Sequence, residues 1–167
     1  MKLETNLDVI KLAGKEKSDE NFEFRSFLKG QDEDEVDEIV HQLHDEIAAQ
    51  IDCTKCGNCC SIFTTAVTDE EIERLSAIDK MSAKDFKKKF IEVSGDNNKY
   101  LKDTPCRYLE NKRCTIYADR PEECRSYPHT QKDEFNSRLF GVIDNYEVCP
   151  IVFNLYEQLK RKMEFRY

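Results

Sequence analysis

Apolar residues recur at helical spacing in four parts of the chain. The clearest run follows the acidic residues at 32–35 and continues to Ile51, and acidic side chains are favoured at the start of a helix. A capping-box pattern at 68–71 predicts a helix to about Ile78, and Ser82 opens another. Cys149-Pro150 opens the last helix, which extends to about Met163. The residues predicted to face inward are Val36, Ile39, Val40, Leu43, Ile47, Phe86, Phe90, Val93, Val152, Leu155, Tyr156 and Leu159.

The remaining segments have weaker patterns. Residues 1–30 fit two short helices or a partly ordered arm. Short extended segments between 106 and 117, with polar residues at their centre, predict a small β-hairpin. The proline and acidic residues that follow predict a brief helix carrying Cys124. For residues 139–148 we predict one strand or two short strands.

Four of the eight cysteines fall within eight residues, in the string Cys53-Thr54-Lys55-Cys56-Gly57-Asn58-Cys59-Cys60. Thiols this dense, in a chain whose start lacks a signal-peptide pattern, are usually metal ligands. The C-x-x-C spacing lets two sulfurs converge on one ion. Gly57 suits the tight turn after the second thiol, because glycine readily adopts a positive φ. The other four thiols all come later: Cys106, Cys114, Cys124 and Cys149.

Three interpretations of these thiols are open. In the first, Cys53, Cys56 and Cys59 form the C-x2-C-x2-C run of bacterial-type [4Fe–4S] sites, whose fourth ligand is often followed by proline, as Cys149 is. In the second, a C-x-x-C pair joins two later thiols in a zinc tetrathiolate site. In the third, disulfides cross-link the chain. The expected cofactor is therefore a [4Fe–4S] cluster or Zn²⁺.

The adjacent pair Cys59 and Cys60 restricts these possibilities. Neighbouring side chains diverge in most backbone conformations, so both sulfurs rarely reach a single ion. A disulfide between them would be strained. Either two metal sites share this loop or one of the pair is a packing thiol, and eight cysteines permit two four-thiolate sites.

The net charge of −8 is unevenly distributed. Residues 1–52 contain 15 acidic and 6 basic residues, whereas the rest of the chain contains 19 and 20. The acidic segment argues against general nucleic-acid binding and is most simply a solvated helical face. No apolar run approaches the ~20 residues of a membrane span. We therefore expect a soluble cytoplasmic protein whose partner is a metal ion or cluster, with neither nucleic acid nor membrane.

The order and spacing of the cysteine motifs resemble those of the YkgJ-type cysteine-cluster family, whose CxxCxxCC domain is described as zinc- or iron-chelating. The motifs are Cys-x-x-Cys-Gly-x-Cys-Cys at 53–60, Pro-Cys at 105–106, Cys-x-Ile-Tyr-x-x-Arg-Pro-x-x-Cys-Arg-x-Tyr-Pro at 114–128 and Cys-Pro at 149–150. The match covers about residues 50–150 and uses every cysteine. It implies that all eight are candidate metal ligands: Cys53, Cys56, Cys59, Cys60, Cys106, Cys114, Cys124 and Cys149.

A related branch, the flagellin lysine methylases, is regarded as carrying an iron–sulfur cluster. The resemblance thereby implies an alternative function, an iron–sulfur-dependent redox or group-transfer enzyme. Methylase activity is not carried over, because the chain has no Gly-x-Gly to suggest a Rossmann-type cofactor loop. No catalytic residue is identified.

Aromatic and basic residues near the later thiols are candidates for binding or enclosing the cofactor. If a metal site is open beside a pocket, Tyr117, Arg120, Arg125 and Tyr127 are its expected walls. The arginines could also offset the net negative charge of four thiolates around a metal. His129 is a candidate ligand of an open site.

These observations predict a small α+β protein, a helix-dominated single domain with a short β-hairpin, organised around a cysteine-ligated metal centre. The predicted divisions are an acidic helical N-terminal extension at 1–50, a cysteine-cluster metal-binding domain at 51–150, and a C-terminal helix at 151–167 that packs on the same domain.

Overall fold

The computed structural model describes residues 2–167. The protein is 58% helical and also contains short antiparallel strands. The prediction of a helix-dominated α+β protein is confirmed. The α-helices are α1 (Leu7–Glu16), α2 (Ser18–Leu28), α3 (Glu33–Ala48), α4 (Cys53–Cys56), α5 (Asn58–Ile62), α6 (Asp69–Ile78), α7 (Ala83–Phe90), α8 (Glu122–Ser126), α9 (Leu139–Tyr146) and α10 (Pro150–Lys162). The strands are β1 (Thr65–Ala66), β2 (Ile91–Val93), β3 (Lys99–Leu101), β4 (Leu109–Glu110) and β5 (Arg113–Cys114), and 3₁₀ turns occupy Tyr117–Asp119 and Phe135–Arg138.

The chain forms two compact units. Residues 2–52 and 128–167 form one, here called the helical unit. Residues 53–127 form the other, here called the cysteine unit. No helix in residues 2–167 combines the length and the apolar character that crossing a membrane requires.

Helices α3 and α10 form the centre of the helical unit. The Asp32 carboxylate caps α3 by accepting a hydrogen bond from Glu35 N at 3.1 Å, as expected of an acidic residue at this position. The predictions for α3 and α10 and for two short helices before residue 30 are confirmed. The apolar residues that α3 and α10 bury are Val36, Val40, Leu43, Ile47, Ile151, Val152, Leu155, Tyr156 and Leu159.

The predicted strand at 139–148 is wrong, because this segment contains α9. Leu139, Val142 and Tyr146 are buried, and their spacing of three and four residues follows the helical period. Phe140, one position along, is 61% exposed. A run of apolar and β-branched residues is compatible with either a strand or a helix. Packing of one helical face decided that this segment forms a helix.

The cysteine unit contains a three-stranded antiparallel sheet in the order β1-β3-β2. The predicted capping box at the start of α6 is confirmed by reciprocal bonds between Thr68 and Glu71. The prediction for Val93 is wrong, because α7 ends at Phe90 and Val93 lies in β2, where it is 55% exposed. The apolar core of the unit consists of Val67, Ile72, Leu75, Phe86, Ile91, Leu101 and Tyr108.

The predicted hairpin is confirmed as β4 and β5, which pair Leu109 with Cys114 and Glu110 with Arg113. Its strands are shorter than the predicted extended segments. The two linking residues, Asn111 and Lys112, both have positive φ, of 49° and 64°. Positive φ at both positions is typical of the tight hairpin turn that matches the twist of the flanking strands.

Candidate metal centre

Helices α4 and α5 present the first four thiols of the cysteine unit. Cys53 and Cys56 are the ends of α4, three residues apart, so they lie on one face of that short helix. Gly57 separates the helices in the left-handed conformation, with φ of 63°, as the sequence predicted. A Cβ atom at this glycine would lie 2.7 Å from the carbonyl oxygen of Lys112. The loop therefore packs directly on the turn of the hairpin that carries Cys114.

Helix α5 carries the adjacent pair Cys59 and Cys60, whose Sγ atoms are 4.0 Å apart. Consecutive residues on an α-helix project about 100° apart around its axis, since each turn takes 3.6 residues. The two sulfurs therefore leave α5 in different directions while remaining close to each other.

Backbone hydrogen bonds connect Cys60 to the later thiols. Cys106 N donates to the carbonyl oxygen of Cys60 at 2.7 Å, and Leu109 N donates to that of Cys106 at 2.9 Å. Leu109 in turn pairs with Cys114 across the hairpin. Cys106 and Cys114 both pack against the apolar core of the unit. The fold thus connects the backbones of Cys60 and Cys106 to the hairpin that contains Cys114.

Cys124 lies on α8, next to strand β1. Its Sγ is 3.4 Å from Oγ1 of Thr65, the first residue of β1. Glu71 fixes the start of α8, because its Oε1 accepts a hydrogen bond from Glu122 N at 2.7 Å while its Oε2 accepts from Thr68 N at 2.9 Å. One buried carboxylate therefore holds both the capping box of α6 and the helix that positions Cys124.

Replacing this carboxylate tests whether it positions Cys124. Glu71→Ala is expected to reduce the free energy of unfolding by about 1–3 kcal/mol, since two backbone donors lose their acceptor. Denaturant unfolding measures this change. Glu70→Ala is the matched control, because Glu70 is a neighbouring exposed carboxylate in the same helical turn. Equal losses in the two variants would contradict the positioning role of Glu71.

Four thiols of the cysteine unit interact electrostatically with one another in every pairing: Cys60, Cys106, Cys114 and Cys124. Burial is the main cause that raises the pKa of the Cys106, Cys114 and Cys124 thiols, that of Cys124 to about 11, and the neighbouring thiolates raise these pKa values further. For Cys60, the hydrogen bond with Cys59 lowers the pKa to about 7 against the effect of burial. Among the described residues no three cysteine sulfurs lie within 4.8 Å of one another, so these thiols influence each other's charge without meeting at one point.

The eighth cysteine, Cys149, lies in the helical unit. It is the residue immediately before α10 and is buried, with 6% of its surface exposed. None of the eight cysteines, all of which lie in the described range, forms a disulfide bond.

The aromatic and basic side chains predicted to bind or enclose a cofactor make contacts with other residues of the cysteine unit. The guanidinium of Arg120 lies 3.7 Å from the ring centroid of Tyr117 and donates to the Tyr117 carbonyl oxygen at 2.7 Å. Arg125 donates from Nε to the Arg120 carbonyl at 3.1 Å and from Nη2 to that of Ala118. The ring of Tyr127 lies 6.2 Å from that of Phe63. These contacts stabilise the segment between Cys114 and Cys124, and the roles of Tyr117, Arg120, Arg125 and Tyr127 in binding a cofactor stay predictions.

Two arginines near thiols have different surroundings. The positive charge of Arg120 is close enough to Cys114 to favour its thiolate. Arg107 instead pairs with Asp79 at 2.6 Å and lies over the ring of Phe90, 3.3 Å from its centroid. Arg107 therefore serves mainly to anchor its loop to α6 and α7.

The histidines lie in the helical unit. The Nδ1 atom of His44 is 2.7 Å from Oγ1 of Thr130, and the carbonyl oxygen of His129 accepts a hydrogen bond from Arg138 at 2.6 Å. The role of His129 as an open-site ligand stays a prediction.

One cluster was missed by the sequence reasoning: ligand atoms of Asp37, His41 and Asp133 lie within 4.8 Å of one another. Its signal was the four-residue spacing of Asp37 and His41 on α3. The carboxylate of Asp37 accepts hydrogen bonds from Glu134 N at 2.6 Å and Phe135 N at 2.9 Å. Its position is therefore explained by capping the 3₁₀ turn at Phe135–Arg138.

The donors gathered in the cysteine unit are thiols. Thiolates suit zinc and iron–sulfur centres, whereas magnesium and calcium prefer oxygen ligands. Residues 52–140 match the CxxCxxCC family model, described as "Putative zinc- or iron-chelating domain". No solved structure matches the chain.

Proposed function

Because this chain belongs to the CxxCxxCC family of zinc- or iron-chelating domains, we propose that it binds zinc or iron through the cysteine thiolates of residues 53–124. The observation that supports this proposal most directly is the presence of seven cysteines in one compact unit, with no disulfide among them. Cysteines concentrated in this way in one small unit are typical of metal centres.

We further propose that one bound species is a [4Fe–4S] cluster held by Cys53, Cys56, Cys59 and one additional thiol. The spacing of these three matches the iron–sulfur pattern, and zinc sites more often take two separate cysteine pairs. The assignment of Cys149 as the additional ligand stays a prediction from its Cys-Pro motif. Such a cluster would supply one-electron chemistry, and the alternative function as a redox or group-transfer enzyme depends on it.

Anaerobic purification of the full chain tests this proposal through iron, zinc and sulfide analysis and an absorption spectrum. We expect brown protein containing iron and sulfide in matching amounts, because four iron atoms and four sulfides form the cluster. The colour should disappear in Cys56→Ser and, if Cys149 is the fourth ligand, in Cys149→Ser.

The matched control is Ile62→Ser, which places a serine on α5 at a position 46% exposed and should keep the colour. Colourless protein with stoichiometric zinc and no sulfide would contradict the cluster and leave metal binding intact. Preparation in air does not serve as a test, because a thiolate site emptied by oxygen can be filled by zinc.

A further inference from the structure

We infer that Asp37, His41 and Asp133 bind a divalent transition-metal cation such as Mn²⁺, Fe²⁺ or Zn²⁺ in the helical unit. Asp37 and His41 are on α3, and Asp133 lies in the loop before the 3₁₀ turn at Phe135–Arg138. One ligand atom of each side chain lies within 4.8 Å of the other two. Among the described residues, no other three His, Cys, Asp or Glu side chains converge in this way. The site goes beyond the proposed function, because it contains no thiolate.

The three side chains come from two directions. Asp37 and His41 are four residues apart on α3, a spacing that places two ligands on one face of a helix and directs both to one ion. Asp133 approaches from the loop, with its Oδ1 3.8 Å from Nε2 of His41. That separation is too long for a hydrogen bond. It fits two ligands of a single ion, since atoms about 2.1 Å from a metal lie about 3–4 Å apart.

The Nε2 atom of His41 supplies a separate observation. This atom is buried, yet within residues 2–167 it has no hydrogen-bond partner. A buried polar nitrogen without a partner costs free energy, and a bound ion would remove that cost. His41 also lines a pocket of about 650 Å³ at the protein surface. A cation can therefore reach the site from solvent.

Asp37 is held in position before any ion binds. Its side chain is buried, and each of its carboxylate oxygens accepts one backbone hydrogen bond, from Glu134 N and Phe135 N. A carboxylate has about four lone-pair sites, so both oxygens can still coordinate a metal. Carboxylates that bind metals are commonly held by hydrogen bonds of this kind. The capping role of Asp37 is therefore compatible with a role as a ligand.

The charge of the pocket favours a cation. Four further acidic side chains line it, namely Glu33, Asp34, Glu38 and Glu134. No lysine or arginine is among its lining residues in the described part of the chain. Carboxylates this close repel one another, and a divalent cation would offset the repulsion. One imidazole with two carboxylates suits Mn²⁺, Fe²⁺ or Zn²⁺ and leaves coordination positions for water.

The test titrates the reduced, full-length protein with Mn²⁺ and measures the free ion by electron paramagnetic resonance. Mn²⁺ is the probe because it prefers oxygen ligands to thiolates, so the cysteines bind little of it. We expect one tightly bound Mn²⁺ per chain. His41→Ala and Asp133→Asn should each weaken binding about 10-fold or more, since loss of a residue that only orients a ligand already costs about 10- to 100-fold.

Glu38→Gln is the matched control, because it removes one negative charge from the same pocket without removing one of the three ligands. It should bind Mn²⁺ nearly as wild type does. Equal weakening in Asp133→Asn and Glu38→Gln would show diffuse attraction of cations to an acidic surface and would overturn the site. Absence of Mn²⁺ binding by wild type, or binding that His41→Ala leaves unchanged, would overturn it too. The Asp133 side chain is 89% exposed, so its replacement should leave the fold intact.

A measurement on wild type alone covers the case in which a variant does not fold. Bound Mn²⁺ broadens the nuclear magnetic resonance signals of nearby amides, and we expect the strongest broadening at residues 37–41 and 133–135. Strongest broadening in the cysteine unit would overturn the site. Zinc, iron and sulfide content tests the proposed function separately. A chain that binds Mn²⁺ at α3 but no metal through its cysteines would contradict the proposed function alone.

Discussion

Removing the metal with a strong chelator under reducing conditions is expected to lower the melting temperature of the protein more than any single substitution. The cysteine unit has a small apolar core, and its sheet strands contain only two or three residues each. A structural thiolate site can contribute ~10 kcal/mol or more at neutral pH, because the ligands converge only in the folded chain. Circular dichroism or calorimetry, with and without chelator, measures the shift.

The control is the same chelator saturated with zinc beforehand, which should leave the melting temperature unchanged. Hydrogen exchange should show the loss of protection in β1 and α8, since Thr65 of β1 lies beside Cys124 of α8. An unchanged melting temperature after verified removal of the metal would show that ligation does not stabilise the fold.

Gly57→Ala is expected to destabilise the protein by about 2–5 kcal/mol and to reduce its metal content. The added Cβ would lie 2.7 Å from the carbonyl oxygen of Lys112 and 3.0 Å from its Cα, both backbone atoms of the hairpin turn. Overpacking of this kind costs about 1–3 kcal/mol, and a left-handed conformation costs a residue with a Cβ about 1–2 kcal/mol more. Relief of the clash would move α4 and α5 away from the turn that precedes Cys114.

Denaturant unfolding and metal analysis of purified protein check both parts of this prediction. Gly95→Ala is the matched control in the same unit, because no atom lies within 4 Å of its added Cβ and its φ is not positive. It should retain the stability and the metal content of wild type. If Gly57→Ala keeps full metal content, the close packing of the loop on the hairpin does not position the thiols.

Several elements could be predicted because their signals are local. Three helices have such local signals at their start. These signals are the acidic residues and apolar spacing of α3, the capping box of α6 and the proline of α10. The same is true of the turn at Gly57, which needs a positive φ. The density and spacing of the cysteines indicated metal chemistry, and the family match is in agreement.

Other features could not be predicted because they depend on residues distant in the chain. The segment 139–148 could form either helix or strand, and burial of Leu139, Val142 and Tyr146 on one helical face decided it. Strand β1 has only two residues and is defined by its pairing with β3. Two residues are too few for a sequence pattern to predict a strand.

The sequence by itself determined the donor chemistry, because eight cysteines offer thiolates, which suit zinc and iron–sulfur centres. It could not determine which thiols lie near one another in the fold, since Cys60 is separated by 46, 54 and 64 residues from Cys106, Cys114 and Cys124. Only the tertiary structure decided that Cys106 is bonded to the Cys60 backbone, that Cys114 pairs with Leu109 and that α8, which carries Cys124, packs on β1. The physical reason is that the distance between two thiols far apart in the sequence depends on the pairing of distant backbone segments. No local pattern encodes that pairing.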